Sequence, residues 1–149
     1  MKALLLAVVL VSLVGCSTPG ARPGAATAMA PYDAIQRAAG AAPRGFAGTF
    51  DMPIRAAGEQ DGMTYLNTER DYRDQCNLTL ALAPDVARDL EARLGADPKV
   101  ALIGKRLRVT GTARRETTGF FDESGRPTGK YYYQTHVVAP DARRIGVLD

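Results

Sequence analysis

The chain is poor in the residue types on which most catalytic centres depend. Its 149 residues include one histidine, His136, two cysteines, Cys16 and Cys76, and no tryptophan. Serine occurs at only three positions, so a Ser–His–Asp arrangement is excluded. One histidine and one free cysteine do not make a zinc site, and no glycine-rich phosphate loop is present. We therefore expect a protein that is not an enzyme and that has no metal and no cofactor.

The sequence also lacks the carboxylate spacing of an acidic metal site. The densest group of carboxylates lies in the segment ERDYRDQ, residues 69–75, where arginines alternate with the acids. The spacing of a calcium-binding EF-hand loop does not occur there. This composition is typical of a solvated loop whose charges neutralise one another.

A long apolar run is lacking as well. The longest run, Ala3–Val14, is interrupted only by Ser12 and is shorter than the roughly 20 residues needed to span a bilayer as a helix. Lys2 precedes it and small residues follow it. A single positive charge, a short apolar run and a small-residue exit indicate a secretory signal peptide over residues 1–15.

The exit of this segment, Leu13–Val14–Gly15–Cys16, resembles the bacterial lipobox. The resemblance implies cleavage before Cys16 and acylation, by palmitate among other chains, of its sulfur and new amino group. Several acyl chains anchor a protein stably, since each buried methylene contributes about 0.8 kcal/mol. Ser17 after the lipidated cysteine implies sorting to the outer membrane, with the body of the protein in the periplasm.

An exported chain meets an oxidising compartment, where cysteines usually pair. Lipidation consumes Cys16, so Cys76 has no internal disulfide partner. We expect Cys76 to be a small buried strand residue.

Residues 17–44 are rich in alanine, glycine and proline and contain few large apolar side chains. Such a composition cannot form a core and is typical of a flexible tether, within which Tyr32–Ala39 could form one or two helical turns. The sequence therefore predicts a lipidated cysteine and tether over residues 16–44 and one domain over residues 45–149.

Within the domain, apolar residues alternate with a period of two in most segments, which predicts strands. One segment, between a proline and a glycine, has helical spacing instead. The predicted strands are Gly45–Ala57, Met63–Thr68, Cys76–Ala83, Lys105–Glu116 and Lys130–Val138, with a short terminal one at Ile145–Leu148, and the predicted helix is Pro84–Gly95. A long loop is predicted over Gly119–Gly129.

The order of three strands, a helix and two strands resembles the OB-fold, which is a five-stranded Greek-key barrel. The segment ALIGKRLRVTG, residues 101–111, resembles the entry to its fourth strand. Residues 65–79 resemble its strand-two to strand-three hairpin in bacterial domains. The resemblance implies an all-β barrel with one helix between strands three and four. It does not imply a ligand, because OB domains bind many unrelated molecules.

In OB domains the ligand face is formed by strands two and three and by the loops after strands one and four. Carried onto this chain, the resemblance implies ligand-binding roles for aromatic and polar strand residues, for loop residues and for two arginines of the fourth strand. These residues are Tyr65, Asn67, Asn77, Thr79, Arg106, Arg108, Phe120, Arg126 and Lys130. Alternation along the fifth strand adds Tyr132 and His136 as candidates.

The segment YYYQTH, residues 131–136, admits two interpretations. In a strand, Tyr131 and Tyr133 share one face, while Tyr132, Gln134 and His136 share the other. We expect Tyr131 and Tyr133 to close the barrel, because tyrosine is a favoured strand former whose ring packs while its hydroxyl reaches water. The opposite face then remains a candidate contact surface.

Charge is unevenly distributed along the domain. Residues 51–98 carry five arginines and ten acids, whereas residues 99–149 carry ten lysines or arginines and five acids. A basic side can bind anions, although a polarised surface without a partner gives the same pattern. The sequence therefore indicates a lipid-anchored periplasmic binding module. Its alternatives are a polyanion or nucleic-acid binder, which the periplasmic address disfavours, and an envelope adaptor that binds another protein.

Overall fold

The computed structural model describes residues 27–148; the predicted signal peptide and Cys16 lie outside this range. β-strands are the predominant secondary structure of the described chain, which also has three helices and one 3-10 turn. In chain order the elements are α1 (Pro31–Ala41), β1 (Phe46–Pro53), β2 (Ala56–Gln60), β3 (Met63–Asn67), β4 (Leu78–Leu82), α2 (Pro84–Leu94), α3 (Pro98–Ala101), β5 (Arg106–Phe121), β6 (Pro127–Val138), the 3-10 turn (Ala142–Arg144) and β7 (Ile145–Leu148).

The strands form one mixed sheet with the order β1-β5-β6-β4-β3-β2, and β7 pairs with β5. All pairs are antiparallel except β4 with β6. The strands at the two ends of this order, β1 and β2, are separated in sequence by only Ile54 and Arg55. The amide of Ile54 donates to the carbonyl of Lys105, and the amide of Arg55 donates to the carbonyl of Asn67. Backbone pairing therefore passes from the β5 side to the β3 side within two residues.

The alternating pattern predicted the inward faces correctly. Leu78, Leu80 and Leu82 of β4 and Leu107 and Val109 of β5 are fully buried. The predicted helix is confirmed as α2, with Gly95 in the left-handed conformation (φ 70°) at its end. A left-handed residue at this position favours glycine because glycine has no Cβ to clash with the preceding carbonyl.

The number of elements differs from the prediction of five strands and one helix. The first predicted strand is divided into β1 and β2 because Pro53 removes a backbone donor where the chain turns. The terminal strand is confirmed as β7. Helices α1 and α3 are additional.

The prediction of a flexible tether is wrong for residues 31–41. This segment forms α1, in which Ala34 and Ala38 are completely buried against the sheet. Alanine side chains are too small to suggest a core by composition, but one turn apart on a helix they allow a close approach to a sheet. The folded part of the chain therefore begins before the predicted boundary at residue 45.

The predicted loop Gly119–Gly129 is largely wrong as well. Strand β5 continues to Phe121 and β6 begins at Pro127, so the two strands form a long hairpin arm. The carboxylate of Asp122 closes its turn, accepting hydrogen bonds from the amides of Ser124 and Arg126 at 2.9 Å each.

The interpretation of Tyr131 and Tyr133 as barrel-closing residues is also wrong. Both belong to the arm, beyond the core, and are 60% and 46% exposed. Their rings contact each other edge to face, with centroids 5.5 Å apart. The face assignment itself holds, since Thr135 and Val137, further along the same face, are buried.

Candidate functional site

The outward face of β3, β4 and β6 forms the floor of a groove. Register aligns Asn67 of β3 with Thr79 of β4, and Thr79 with His136 of β6. These three side chains form one row across the sheet because each alternates with inward residues of its strand. The β2–β3 turn, the loop between β3 and β4 and the hairpin arm form the walls.

Six ring side chains line this groove, which we call the aromatic groove. Its volume is about 640 Å³. Its ring residues are Tyr65, Tyr72, Phe120, Phe121, Tyr132 and His136. The rings of Phe120 and Tyr132 have centroids 5.2 Å apart, and those of Tyr65 and His136 lie 5.8 Å apart. Such clusters of rings offer flat apolar faces to a ligand.

One face of β6 carries a chain of hydrogen bonds along the groove. Gln134 Nε2 donates to the hydroxyl of Tyr132 at 3.1 Å, and the ring of His136 donates through Nε2 to Gln134 Oε1 at 2.9 Å. Burial lowers the pKa of His136, and the Glu116 carboxylate partly opposes this shift. Burial also raises the pKa of the Tyr132 hydroxyl. Both groups are therefore neutral near pH 7.

The charges that line the groove balance. Glu59 and Asp61 lie on the β2–β3 side, whereas Arg70 and Arg73 lie on the loop between β3 and β4. Arg73 also forms an ion pair with Asp71, which does not line the groove; the Arg73 Nε lies 3.3 Å from the Asp71 carboxylate. Glu59 pairs with Lys99 of α3. The groove is therefore a ring-lined surface without an excess of either charge.

The structure brings together six of the eleven candidate ligand-binding residues. These are Tyr65, Asn67, Thr79, Phe120, Tyr132 and His136, all in the aromatic groove. Asn77 is buried behind its floor and bonds to Asn67, Thr79 and backbone groups.

The four basic residues implied by the resemblance do not line the aromatic groove. Arg106 and Arg108 lie on the part of β5 that pairs with β1 and β7, and Arg106 forms an ion pair with Asp51. Arg126 and Lys130 lie at the exposed end of the hairpin arm. Alternation predicted that Arg106 and Arg108 face outward, but it could not show on which side of the molecule.

Tyr72 lines the groove but was not a candidate, whereas Phe121 of the predicted loop and Gln134 of the candidate contact surface line it as expected. Tyr72 is the single aromatic residue of the charged segment 69–75, which was a usable signal. Cys76 is exposed, contrary to the expectation of a buried strand residue. It precedes β4 in a turn, where its amide donates to Asp74 Oδ1 at 2.8 Å.

A second hollow, of about 790 Å³, lies over β1, β5 and the end of β6. Glycine and threonine make up nearly half of its lining, which also includes Arg114, Glu116 and Arg144 and has no aromatic ring. Within residues 27–148 no three histidine, cysteine or acidic side chains are close enough to hold a metal ion. Within the same range no helix is both long and apolar enough to cross a membrane.

No protein-family model and no curated protein matches the chain. Among solved structures, it is similar to an aspartyl-tRNA synthetase from Entamoeba histolytica, with a TM-score of 0.46 and 12% identity over 97% of this chain. A structure from Leishmania major Friedlin, assigned as an aspartyl-tRNA synthetase, has a TM-score of 0.36 and 12% identity over 87% of the chain. The chain spans 28% and 23% of these two proteins. Likeness at this level establishes no shared activity.

Proposed function

We propose that the chain is a non-catalytic binding module built on an OB-type barrel, and that its ligand occupies the aromatic groove. The strand order supports the barrel: β1 and β2 act as one bent first strand that pairs with β5 at one end and with β3 at the other. The parallel pair β4–β6 then joins the third and fifth strands of the barrel. Helix α2 lies between the third and fourth strands, as OB topology requires.

One observation carries the proposed function: six ring side chains from three separate parts of the chain converge on one outward groove. Large apolar rings left on a surface mark interaction sites, since burying them against a ligand is favourable. The groove's volume also lies within the range typical of ligand sites, roughly 300–1,000 Å³.

Binding rather than catalysis is supported by the surroundings of His136. Its Nε2 bonds to the amide oxygen of Gln134, which does not change its protonation state near neutral pH. A histidine that acts as general base is normally oriented by a carboxylate or another group that stabilises the imidazolium. Burial instead favours the neutral ring.

The balanced charge of the aromatic groove favours an uncharged ligand with flat faces, and we propose an oligosaccharide. OB barrels present this face to oligosaccharides as well as to oligonucleotides. A nucleic-acid groove combines stacking rings with an excess of positive charge along the backbone path. Here two arginines are matched by two carboxylates, and Arg106 is neutralised by Asp51 away from the groove.

Calorimetric titration with chitohexaose, cellohexaose and a twelve-residue single-stranded oligothymidine tests this function. We expect the glycans to bind with an affinity that changes little between 50 and 300 mM salt. Binding that occurs only with the oligothymidine and that weakens steeply with salt would establish the polyanion alternative instead. Capture of one specific envelope protein by crosslinking, with no affinity for any of the three probes, would establish the adaptor.

A matched pair of variants locates the site. Tyr132 and Tyr133 are adjacent on β6 and point to opposite faces, so Tyr132→Ala removes a groove ring whereas Tyr133→Ala removes an exposed ring outside it. We expect Tyr132→Ala to weaken glycan binding at least about tenfold, which corresponds to about 1.4 kcal/mol, and Tyr133→Ala to leave it unchanged. Equal losses in the two variants would contradict the placement of the ligand in the groove.

We also propose that the module is held at the outer membrane by acyl chains on Cys16 and faces the periplasm. The lipobox-like segment and Ser17 support this proposal. Labelled palmitate should be incorporated into the full chain, and the Cys16→Ala variant should lose the label and leave the membrane fraction. Retention of label in the variant would contradict lipidation at Cys16.

A further inference from the structure

Asn67 occupies an unusual position in the floor of the aromatic groove. It is only 6% exposed, yet it lines the groove between the ring of Tyr65 on its own strand and Thr79 on the next strand. A buried amide normally has partners for both its oxygen and its nitrogen, because an unpaired buried polar group costs about 1–3 kcal/mol. Which of its two ends faces the groove therefore decides what the groove can bind.

The orientation of the neighbouring Asn77 is set by the backbone. Its Oδ1 accepts a hydrogen bond from the amide of Glu69 at 3.0 Å, and its Nδ2 donates to the carbonyl of Tyr72 at 3.2 Å. A backbone amide can only donate and a backbone carbonyl can only accept. Rotating the Asn77 amide by 180° would break both bonds, so its nitrogen must face Asn67.

This orientation in turn sets that of Asn67. Asn77 Nδ2 lies 3.1 Å from Asn67 Oδ1, and the hydroxyl of Thr79 donates to the same oxygen at 2.8 Å. The atom of Asn67 that faces these two donors must be the oxygen, so Nδ2 is directed away from them. No acceptor within residues 27–148 pairs with this nitrogen, and it is not sealed from solvent. The groove floor thus offers a donor of fixed direction.

We propose that Asn67 Nδ2 determines specificity by donating to a carbonyl oxygen of the ligand, and that the ligand is an N-acetylated oligosaccharide. This inference rests on the proposed function. A sugar hydroxyl fits less well, because its own proton would also need an acceptor in the groove floor. The oxygen of Asn67 already accepts two hydrogen bonds, and Gln134 Oε1 already accepts from His136. An acetamido carbonyl is an acceptor without a proton on the same atom.

Chitohexaose and cellohexaose are matched probes, because both are β-1,4-linked chains of pyranose rings and differ in the acetamido group. For the wild-type protein we expect calorimetry to give affinity about ten- to a hundredfold higher for chitohexaose, which is the effect of leaving one buried donor unpaired. Equal affinity for the two chains would overturn the inference while leaving the proposed function intact. Binding of neither chain would overturn both.

Asn67→Asp removes the donor while keeping an oxygen toward Asn77 and Thr79, so we expect the preference for chitohexaose to disappear. Gln36→Glu is the control: it makes the same amide-to-acid change at an exposed position of α1, outside the groove, and the preference should persist. A preference that survives in Asn67→Asp contradicts the assigned role.

A measurement on the wild-type protein is independent of how either variant folds. The side-chain amide protons of Asn67 should shift in nuclear magnetic resonance spectra when chitohexaose is added, and shift less with cellohexaose at equal occupancy. Identical shifts would overturn the inference.

Discussion

Gln134 Oε1 accepts a hydrogen bond of 2.9 Å from Nε2 of His136, two residues further along the same face of β6. The pair is possible because alternate residues of a strand point to one face. It places the only histidine of the chain in the floor of the aromatic groove, beside the ring of Tyr65.

The burial of His136 predicts how stability depends on pH. Burial lowers its pKa below the ordinary value of 6.5, so both folded and unfolded states are neutral above that pH. As the pH falls through 6.5 toward the lower folded pKa, the unfolded state takes up the proton first, and the free energy of unfolding decreases. Urea denaturation followed by circular dichroism at pH 7.5, 6.5 and 5.5 should show this decrease. His136→Gln should show a smaller one, and an equal decrease in the variant would contradict the assignment.

Asn77 connects the groove floor to the backbone, so its removal should be costly. Asn77→Ala leaves the amide of Glu69 without its acceptor and removes one of the two hydrogen bonds to the oxygen of Asn67, which keeps only the bond from Thr79. We expect a loss of about 2–3 kcal/mol in the free energy of unfolding, measured by urea denaturation. Gln60→Ala, at the exposed end of β2, is the control and should change stability by less than about 0.5 kcal/mol. A similar small effect for Asn77→Ala would show that water replaces these bonds.

Gly111 lies where β5 passes between β1 and the end of β6. A Cβ at this position would overlap the backbone carbonyl of Val138, whereas a Cβ at Gly58 of β2 has nothing within 4 Å. Because backbone atoms cannot move aside as a side-chain end can, we expect Gly111→Ala to destabilise by about 1–3 kcal/mol. Gly58→Ala should change the free energy of unfolding by less than about 1 kcal/mol. Thermal denaturation of both variants measures the difference. Equal destabilisation would contradict the close approach of Gly111 to the Val138 carbonyl.

Helix α1 should contribute to stability as part of the domain. Ala38 is completely buried and Gln36 is exposed in the middle of the same helix. Ala38→Asp would place a carboxylate against the core and should cost at least about 2 kcal/mol. Gln36→Asp, the matched control, should cost only the lower helix propensity of aspartate, within about 0.7 kcal/mol. Denaturant unfolding compares the two, and an equal cost would mean that α1 is not docked.

Much of the sheet was predictable because its strands alternate clearly. Leu78, Leu80 and Leu82 could face only one way, and the proline and glycine around α2 marked its ends. One or two helical turns were expected at Tyr32–Ala39, but the docking of α1 on the sheet was not predictable, because the small side chains of Ala34 and Ala38 resemble those of a flexible linker. The hairpin arm was mistaken for a loop because glycine and proline occur at Gly119, Pro127 and Gly129, positions that a two-stranded arm tolerates away from the core.

Tyr65, Asn67, Thr79 and Phe120 could be named beforehand because they belong to the strands and loop that form the ligand face in the resembling fold. Tyr132 and His136 could be named because alternation puts them on one face of the fifth strand. The arginines could not be placed, since residues on one strand can lie on opposite sides of a strongly curved sheet. Arg106 and Phe120 both belong to β5, yet Arg106 pairs with Asp51 of β1 and Phe120 contacts Tyr132 in the groove.

The sequence by itself determined local properties: which strand residues face inward, where α2 begins and ends, and that Tyr132, Gln134 and His136 share one face. These follow from the period of two in strands and from the backbone preferences of proline and glycine. Only the tertiary structure decided that Asn67, Thr79 and His136 form one row and that the nitrogen of Asn67 faces the groove. Those facts depend on strand register and on a backbone amide and carbonyl in the loop between β3 and β4, and neither leaves a mark in the order of residues.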